Sequence, residues 1–161
     1  RAGIDVRKTI CVNAPVEQVA ALWSRFENFP RFMQHVREVS VSDVDPTRSR
    51  WTVDGPGGVP VTFEAEIHRR EPEREIVWTT LPDQPIEHTG MVRFEPSDGG
   101  TCVHIRMRYR PPAGMIGHAI AHLLGWDPKA RLDDDLIRMK ALLEDGRTRA
   151  HGEHVALADL R

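Results

Sequence analysis

Cysteine is scarce in this sequence, with two residues, Cys11 and Cys102, in a chain of 161. Both fall inside strand-like runs, and two isolated thiols form neither a disulfide framework nor the paired spacing of a zinc site. No apolar run approaches the length of a membrane-spanning helix, and the opening RAGIDVRKTICV contains no hydrophobic signal-peptide region. We therefore expect a cytoplasmic protein in a reducing compartment, with no integral membrane segment in this chain.

The sequence also lacks an excess of either charge. Lys and Arg total 22 against 24 for Asp and Glu, which gives a formal net charge of -2. A nucleic-acid-binding domain usually carries a basic surplus, so we expect no nucleic acid partner. The hydrophobic share of 40% and the charged share of 29% suit one soluble domain with a core of its own.

The N-terminal part predicts a strand followed by two short helices. Residues Ile4 to Val12 alternate weakly and are rich in β-branched side chains, which is typical of a strand. In NAPVEQVAALWSRF the apolar residues follow a 3.6-residue repeat, with Asn13 near the N-cap and Pro15 in the first turn. The stretch ENFPRFMQHV breaks this helix at its proline and predicts a second helical turn.

A run of strand candidates comes next, separated by turn clusters rather than by helices. Because consecutive hairpins pair neighbouring strands, this run predicts an antiparallel sheet of six or seven strands. The candidates are VREVSVSDV, RWTVDG, VPVTFEAEIHRR, REIVWTTL and the two arms of PIEHTGMVRFEPSDGGTCVHIRMRYRPPAG.

Helical periods return at the C-terminal end, in GMIGHAIAHLLG and then in DPKARLDDDLIRMKALLEDG. In the second stretch Asp127 is the expected N-cap, Pro128 the first helical position and Gly146 the stop signal. The apolar stripe of this long helix contains Leu132, Leu136, Met139 and Leu143, widened by Ile137 and Leu142. Residues 147–161 lack a comparable stripe, so we assign residues 1–146 to the domain and treat the rest as a peripheral tail.

In the hairpin formed by residues 87–110, one strand register pairs apolar residues on one face and charged residues on the other. It places Gly90 opposite Met107 and His88 opposite Tyr109 on the apolar face, with charged residues paired on the other face. A twisted sheet of this size curls around its covering helix and rarely closes fully.

Small residues at Gly90 and Ala65, among bulky neighbours, predict a hollow on the concave face of the sheet. Hollows bounded by apolar and a few polar groups are where ligands bind. The alternative is that the same residues simply fill an ordinary core. The predicted cavity residues are Phe63, Ala65, Trp78, Thr80, His88, Gly90, Val92, Met107, Tyr109, Met115, Leu136 and Met139.

The order of strand, two short helices, six strands and a long C-terminal helix resembles the START-like (SRPBCC) helix-grip superfamily. Its polyketide cyclase/dehydrase and lipid-transport branch is similar to this chain over about Lys8 to Glu144. The similarity lies in APVEQVAALWSRFENFPRFMQHVREV, REIVWTT, GMVRFEPSDGGTCVHIRMRYRPPAGMIG and LDDDLIRMKALLE.

This resemblance implies an α+β helix-grip fold, with a curved antiparallel sheet around the C-terminal helix. It also implies a cavity between them for a hydrophobic small molecule such as a lipid, sterol, isoprenoid quinone or polyketide. It carries over no catalytic residue, because the superfamily includes transfer proteins, ligand sensors, cyclases and hydrolases.

Three functions stay open at this point. The leading hypothesis is cofactor-free binding or transport of a hydrophobic small molecule. The second is a polyketide cyclase or dehydrase in which His88 and Tyr109 perform acid-base catalysis, and the third is a protein-interaction module with a vestigial cavity. His118 and His122 share a helical face, but no third ligand accompanies them, so we expect no metal site. The oligomeric state is open, with a homodimer among the alternatives.

Overall fold

The computed structural model describes residues 3–110 and 127–160. Its helices are α1 (Val16–Ser24) and α2 (Pro128–Asp145), with 3-10 turns at Phe26–Arg31, Pro56–Gly58 and Leu157–Asp159. Its strands are β1 (Ile4–Val12), β2 (Val36–Val41), β3 (Arg48–Asp54), β4 (Pro60–Glu71), β5 (Glu75–Thr80), β6 (Glu87–Ser97), β7 (Gly100–Arg110), β8 (Arg147–Ala150) and β9 (Glu153–Ala156).

In the described part of the chain, β1 to β7 form one antiparallel sheet in the order β1-β7-β6-β5-β4-β3-β2. The sheet curls around the long helix α2, so the predicted α+β helix-grip fold is confirmed. The second of the two short helices is a 3-10 turn, Phe26–Arg31, which contains Pro30. The predicted helix GMIGHAIAHLLG, including Met115, His118 and His122, lies outside the described residues.

The register of the β6–β7 hairpin is the predicted one. Gly90 pairs with Met107, and His88 pairs with Tyr109. The strands place alternate side chains on opposite faces, so this register sends all four toward the concave side of the sheet. The sequence pattern alone was sufficient here because a slip of one residue would have exposed the whole apolar face.

Helix α2 begins and ends as the sequence predicts. The Asp127 side chain accepts a hydrogen bond from the backbone N–H of Ala130 at 3.1 Å, and Gly146 ends the helix in the left-handed conformation at φ 76°. Its buried face contains Leu132, Asp135, Leu136, Met139, Leu142 and Leu143. Ile137 was wrongly assigned to that face, since its side chain is 63% exposed.

The start of α1 differs from the prediction. The N-cap residue is Pro15, which offers no side-chain hydrogen bond, so Asn13 does not cap the helix. The backbone N–H of Asn13 instead donates to Glu144 Oε2 at 2.7 Å. This contact ties the end of β1 to the last turn of α2.

The C-terminal tail forms an antiparallel hairpin of β8 and β9. It packs against α2, and its Ala150 and Val155 side chains are buried in the core. The tail therefore contributes apolar contacts to the domain, and the boundary drawn at residue 146 stays a prediction.

The two cysteines form a disulfide bond, which corrects the expectation of isolated thiols. Cys11 on β1 lies directly opposite Cys102 on β7, and their sulfur atoms are bonded across a sequence separation of 91 residues. The residues around each cysteine do not predict this pairing, because it depends on β1 pairing with β7, the second strand of the β6–β7 hairpin. The cysteines therefore no longer support the expected cytoplasmic location, which stays a prediction.

An aromatic cluster fills much of the space between the sheet and the first helices. The Phe29 ring contacts those of Trp23, Trp51 and Trp78 at centroid distances of 5.3, 5.4 and 6.2 Å. The Trp23 indole N–H also donates to the sulfur of Met139 at 3.0 Å, which links α1 to α2.

None of the helices in residues 3–110 and 127–160 is long and apolar enough to cross a membrane.

Candidate functional site

A cavity lies between the concave face of the sheet and α2, with about 90 Å³ of space for water-sized molecules. Aromatic and aliphatic side chains form most of its wall, and a smaller set of polar groups comes from the sheet and from α2. The apolar lining includes Phe29, Met33, Trp51, Phe63, Trp78 and Met107. The polar lining includes His35, Asp54, His88, Tyr109, Arg131 and Asp135.

Part of the predicted cavity is found in this wall. Phe63, Trp78, His88, Met107 and Tyr109 line it together. Four other predicted residues are packed in the core instead: Ala65, Val92, Leu136 and Met139. Thr80 supports the site from behind, since its hydroxyl accepts a hydrogen bond from the backbone N–H of His88 at 3.2 Å.

Gly90 does not open a hollow, which corrects the reason for which it was chosen. Trp78 is its direct partner across β5 and β6, and the indole lies over the glycine. A Cβ atom on Gly90 would lie 2.2 Å from two ring carbons of Trp78. Gly90 is therefore small because the indole needs its space, and the open volume lies on the other side of Trp78, between the sheet and α2.

The indole of Trp78 also fixes the state of His88. Trp78 Nε1 donates to His88 Nε2 at 3.1 Å, and an indole nitrogen can only donate. His88 Nε2 must therefore be the bare nitrogen that accepts, and the proton of the neutral ring sits on Nδ1. Burial lowers the pKa of His88 to about 4, so the imidazole is neutral at physiological pH.

Tyr109 faces His88 as the register predicted, with ring centroids 4.7 Å apart. Its hydroxyl donates to the sulfur of Met107 at 3.2 Å, and burial raises the pKa of that hydroxyl above its ordinary value. The pKa of His88 is far below neutrality and that of Tyr109 far above it. The pair is therefore poorly suited to exchange protons with a substrate at neutral pH.

The sequence analysis missed four ionisable groups in the cavity wall, namely His35, Asp54, Arg131 and Asp135. Asp135 is the most deeply buried of these four. It is only 6% exposed, and its Oδ1 accepts hydrogen bonds from the backbone N–H of Gln34 at 3.0 Å and from Arg138 at 2.9 Å. Burial raises the pKa of this carboxyl to about 7 in spite of these donors. The sequence could have revealed this burial. Asp135 lies three residues after Leu132 and four before Met139, and this spacing places it on the buried stripe of the helix.

A second polar contact joins α2 to the end of β3. Arg131 donates to the backbone carbonyl of Asp54 at 2.8 Å, and the Asp54 carboxylate lies 3.4 Å from Nδ1 of His35. Partial burial lowers the pKa of both His35 and Arg131. This side of the cavity is therefore polar, whereas the wall around His88 is aromatic.

The Asp135 carboxyl should make stability depend on pH. Because its pKa is about 7 in the native state and about 4 in an unfolded chain, the native state holds the proton more tightly between those values. Asp135 should thus lower the free energy of unfolding by about 2 to 3 kcal/mol between pH 5 and pH 8. Burial of His88 acts in the opposite direction over the same range, because its native pKa of about 4 lies below the ordinary value of about 6.5. The Asp135 contribution is therefore the difference between wild type and a variant that lacks this carboxyl. Urea unfolding at both pH values measures this change.

The Asp135→Asn variant is the control for that measurement. Its amide oxygen can still accept the Gln34 and Arg138 hydrogen bonds, but it does not titrate. Relative to wild type, the variant should gain about 2 to 3 kcal/mol of stability between pH 5 and pH 8, and it should be the more stable protein at pH 8. The same pH dependence in both proteins would show that Asp135 does not contribute to it.

A family model described as polyketide cyclase / dehydrase and lipid transport matches residues 3–144. The chain belongs to this family. Family members act on or carry hydrophobic small molecules, which agrees with a cavity lined mainly by apolar side chains. Together with the fold, this membership places the chain in the START-like (SRPBCC) superfamily.

Two relatives from bacteria share most of the chain. An uncharacterised 17.2 kDa protein of Streptomyces lincolnensis is 30% identical over 141 residues, which span 87% of this chain and 89% of that protein. The solved structure of DR_A0006 from Deinococcus radiodurans is 38% identical and has a TM-score of 0.72, with 89% of this chain and 98% of that chain covered.

A more distant structure shows the same fold in a different setting. The di-domain ARO/CYC StfQ from the steffimycin biosynthetic pathway is 19% identical, with a TM-score of 0.67 over 89% of this chain. The match covers 52% of StfQ, so this chain corresponds to about half of that protein. At this identity the likeness shows the fold alone.

Proposed function

We propose that this protein binds or carries a hydrophobic small molecule, of the lipid, isoprenoid quinone or polyketide type, in the cavity between the sheet and α2. The observation that carries the proposal is the composition of the cavity wall, in which aromatic and aliphatic side chains surround a few polar atoms. Such walls bury most of an apolar ligand and use the polar atoms to orient it. The family's description supports the same reading.

The size of the cavity limits how much of a ligand it takes. Its 90 Å³ is well below the roughly 300 to 1,000 Å³ of sites that enclose a drug-sized ligand. The cavity therefore receives a ring or a short chain segment, and a longer ligand requires its wall to open. Met33 and Met107 line the cavity, and their flexible thioether side chains are well suited to such adjustment.

A polyketide cyclase or dehydrase is the second candidate, and Asp135 is the observation that favours it. A general base works best when its pKa is near the working pH, and burial brings the pKa of this carboxyl to about 7. This assignment moves the candidate chemistry from His88 and Tyr109 to α2. Asp135 lines the same cavity, so binding of an apolar molecule is common to both candidates.

Filling the cavity should weaken the binding of an apolar probe. Val53 lines the cavity, and Val53→Phe adds an aromatic ring to its wall. We expect the affinity for Nile red, measured by fluorescence titration, to fall at least tenfold, because the ring occupies space that the probe needs. Native mass spectrometry of wild-type protein from its own host should also show a retained apolar molecule.

Thr52→Phe is the matched control. Thr52 precedes Val53 on β3, and its hydroxyl contacts that of Thr62 on the exposed face of the sheet, so this variant adds the same ring away from the cavity. Equal binding by the two folded variants would place the probe elsewhere and contradict the proposal. Conversion of a linear poly-ketone to a cyclised product, lost in Asp135→Asn, would favour the enzyme.

A further inference from the structure

His88 Nδ1 is a buried hydrogen-bond donor without a partner in residues 3–110 and 127–160. The side chain is 7% exposed and lines the cavity. Leaving such a donor unpaired costs about 1 to 3 kcal/mol, and native proteins rarely retain this cost without a reason. The Phe63 and Tyr109 rings lie 6.0 and 4.7 Å from the imidazole, so the surroundings of this ring are largely aromatic.

The direction of this hydrogen bond is fixed by the protein. Trp78 occupies His88 Nε2 with a donor, so Nδ1 of the neutral ring carries the proton and can only donate. The indole is itself held in place, since it is almost fully buried and stacks at 6.3 Å on Trp51. The backbone of His88 is anchored as well, through the hydroxyl of Thr80. The atom that meets Nδ1 must therefore be an acceptor.

The acceptor must also be uncharged. Burial keeps His88 neutral by lowering its pKa to about 4, so the ring offers no positive charge to a carboxylate or a phosphate. Arg131, a cation of the described cavity lining, lies on the polar side and donates to the Asp54 carbonyl, whereas the side chains around His88 are aromatic. Bringing an anion against His88 would therefore bury a charge away from that cation, which is strongly unfavourable. A carbonyl oxygen meets both conditions, because it accepts without carrying charge.

We propose that His88 recognises a neutral carbonyl oxygen of the bound molecule, of a ketone, quinone or ester, through a hydrogen bond donated by Nδ1. This inference rests on the ligand-binding function proposed above and narrows its ligand class to hydrophobic carbonyl compounds. It makes His88 a specificity-determining residue and Trp78 the residue that sets its tautomer. Fatty acids that present their carboxylate to His88, and hydrocarbons without an acceptor, are disfavoured.

The tautomer can be measured directly on the wild-type protein. In a histidine-selective ¹H–¹⁵N spectrum at pH 7, His88 should show a protonated Nδ1 and a bare Nε2. Addition of 1-indanone should shift the Nδ1 resonance, because the new acceptor contacts that nitrogen. A protonated Nε2 at His88, or no response of Nδ1 to the ketone when it is bound, would overturn the proposal without any need for a variant.

Three bicyclic probes of similar shape test the recognition itself. 1-Indanone offers only an acceptor, indole only a donor, and indene neither. One neutral hydrogen bond contributes about 0.5 to 1.5 kcal/mol, so the ratio of the indene Kd to the 1-indanone Kd should be roughly 3- to 10-fold higher in wild type than in His88→Phe. Indole should gain no such advantage. Calorimetric titration measures all three affinities.

His88→Gln is the conservative variant, because its amide oxygen can accept from Trp78 while its NH₂ group donates to the ketone. It should retain most of the preference for 1-indanone that His88→Phe loses. If wild type binds all three probes but His88→Phe leaves the ratio unchanged, the carbonyl inference is wrong and the binding function stands. If wild type binds none of them at millimolar concentration, both the inference and the proposed function fail.

Discussion

Gly90→Leu should destabilise the protein by about 4 kcal/mol or more. A Cβ atom added at this position would lie 2.2 Å from the Trp78 ring. The indole cannot move aside, because it is almost fully buried. Its ring packs against Phe26 and Trp51 at 5.4 and 6.3 Å. Urea unfolding followed by tryptophan fluorescence measures the loss. Gly90→Ala should show a smaller loss in the same direction.

Thr89→Leu is the control for the glycine substitutions. Thr89 is the preceding residue on β6 and is exposed, so the same side chain is added to the opposite face of the sheet. Its effect should stay within about 0.5 kcal/mol. A similar small effect for Gly90→Leu would mean that open space lies above the glycine, as the sequence pattern suggested and the structure contradicts.

Removal of the disulfide should also lower the free energy of unfolding strongly. A bond between residues 91 apart restricts the unfolded chain strongly, and the loop-entropy model gives about 4 to 5 kcal/mol for a loop of this length. The double variant Cys11→Ser, Cys102→Ser should lower the free energy of unfolding by roughly that amount. It should keep the fold, since β1 and β7 remain paired along Ile4 to Val12.

Mass spectrometry after alkylation tests the bond itself. Protein purified without reductant should take up no iodoacetamide even when it is unfolded. It should gain two adducts once it is reduced, since Cys11 is exposed and Cys102 is half-buried. Reductant should destabilise wild type but not the double serine variant. Alkylation of both cysteines in the unreduced protein would show that the thiols are free, and the large stability difference would then disappear.

The chemistry of the cavity follows from how burial acts on its ionisable groups. Burial keeps His88 and Tyr109 neutral at neutral pH, which suits them to hydrogen bonding rather than to acid-base catalysis. Asp135 lies close to its titration point at neutral pH, because desolvation outweighs its contacts with Arg138 and Gln34. Under the proposed function, the polar groups of this cavity orient the polar end of an apolar molecule, and any proton transfer would begin at Asp135 on α2.

The sequence by itself determined the helix-grip fold, the β6–β7 register and the ends of α2. These features depend on patterns that are local in the chain. Alternation with a period of two sets the faces of His88 and Gly90, and Asp127 and Gly146 cap the helix through groups within a few residues of each other. The four stretches that resemble the family, in the same order along the chain, made the family recognisable from the sequence.

Only the tertiary structure decided how the space inside the fold is filled. The indole of Trp78 takes the volume over Gly90, Cys11 meets Cys102, and burial of Asp135 raises its pKa. Each of these depends on side-chain volume and on contacts between segments far apart in sequence, which a hydrophobic pattern does not encode. For the same reason the sequence could place His88 on the concave face, but its tautomer became visible only once Trp78 was seen to donate to it.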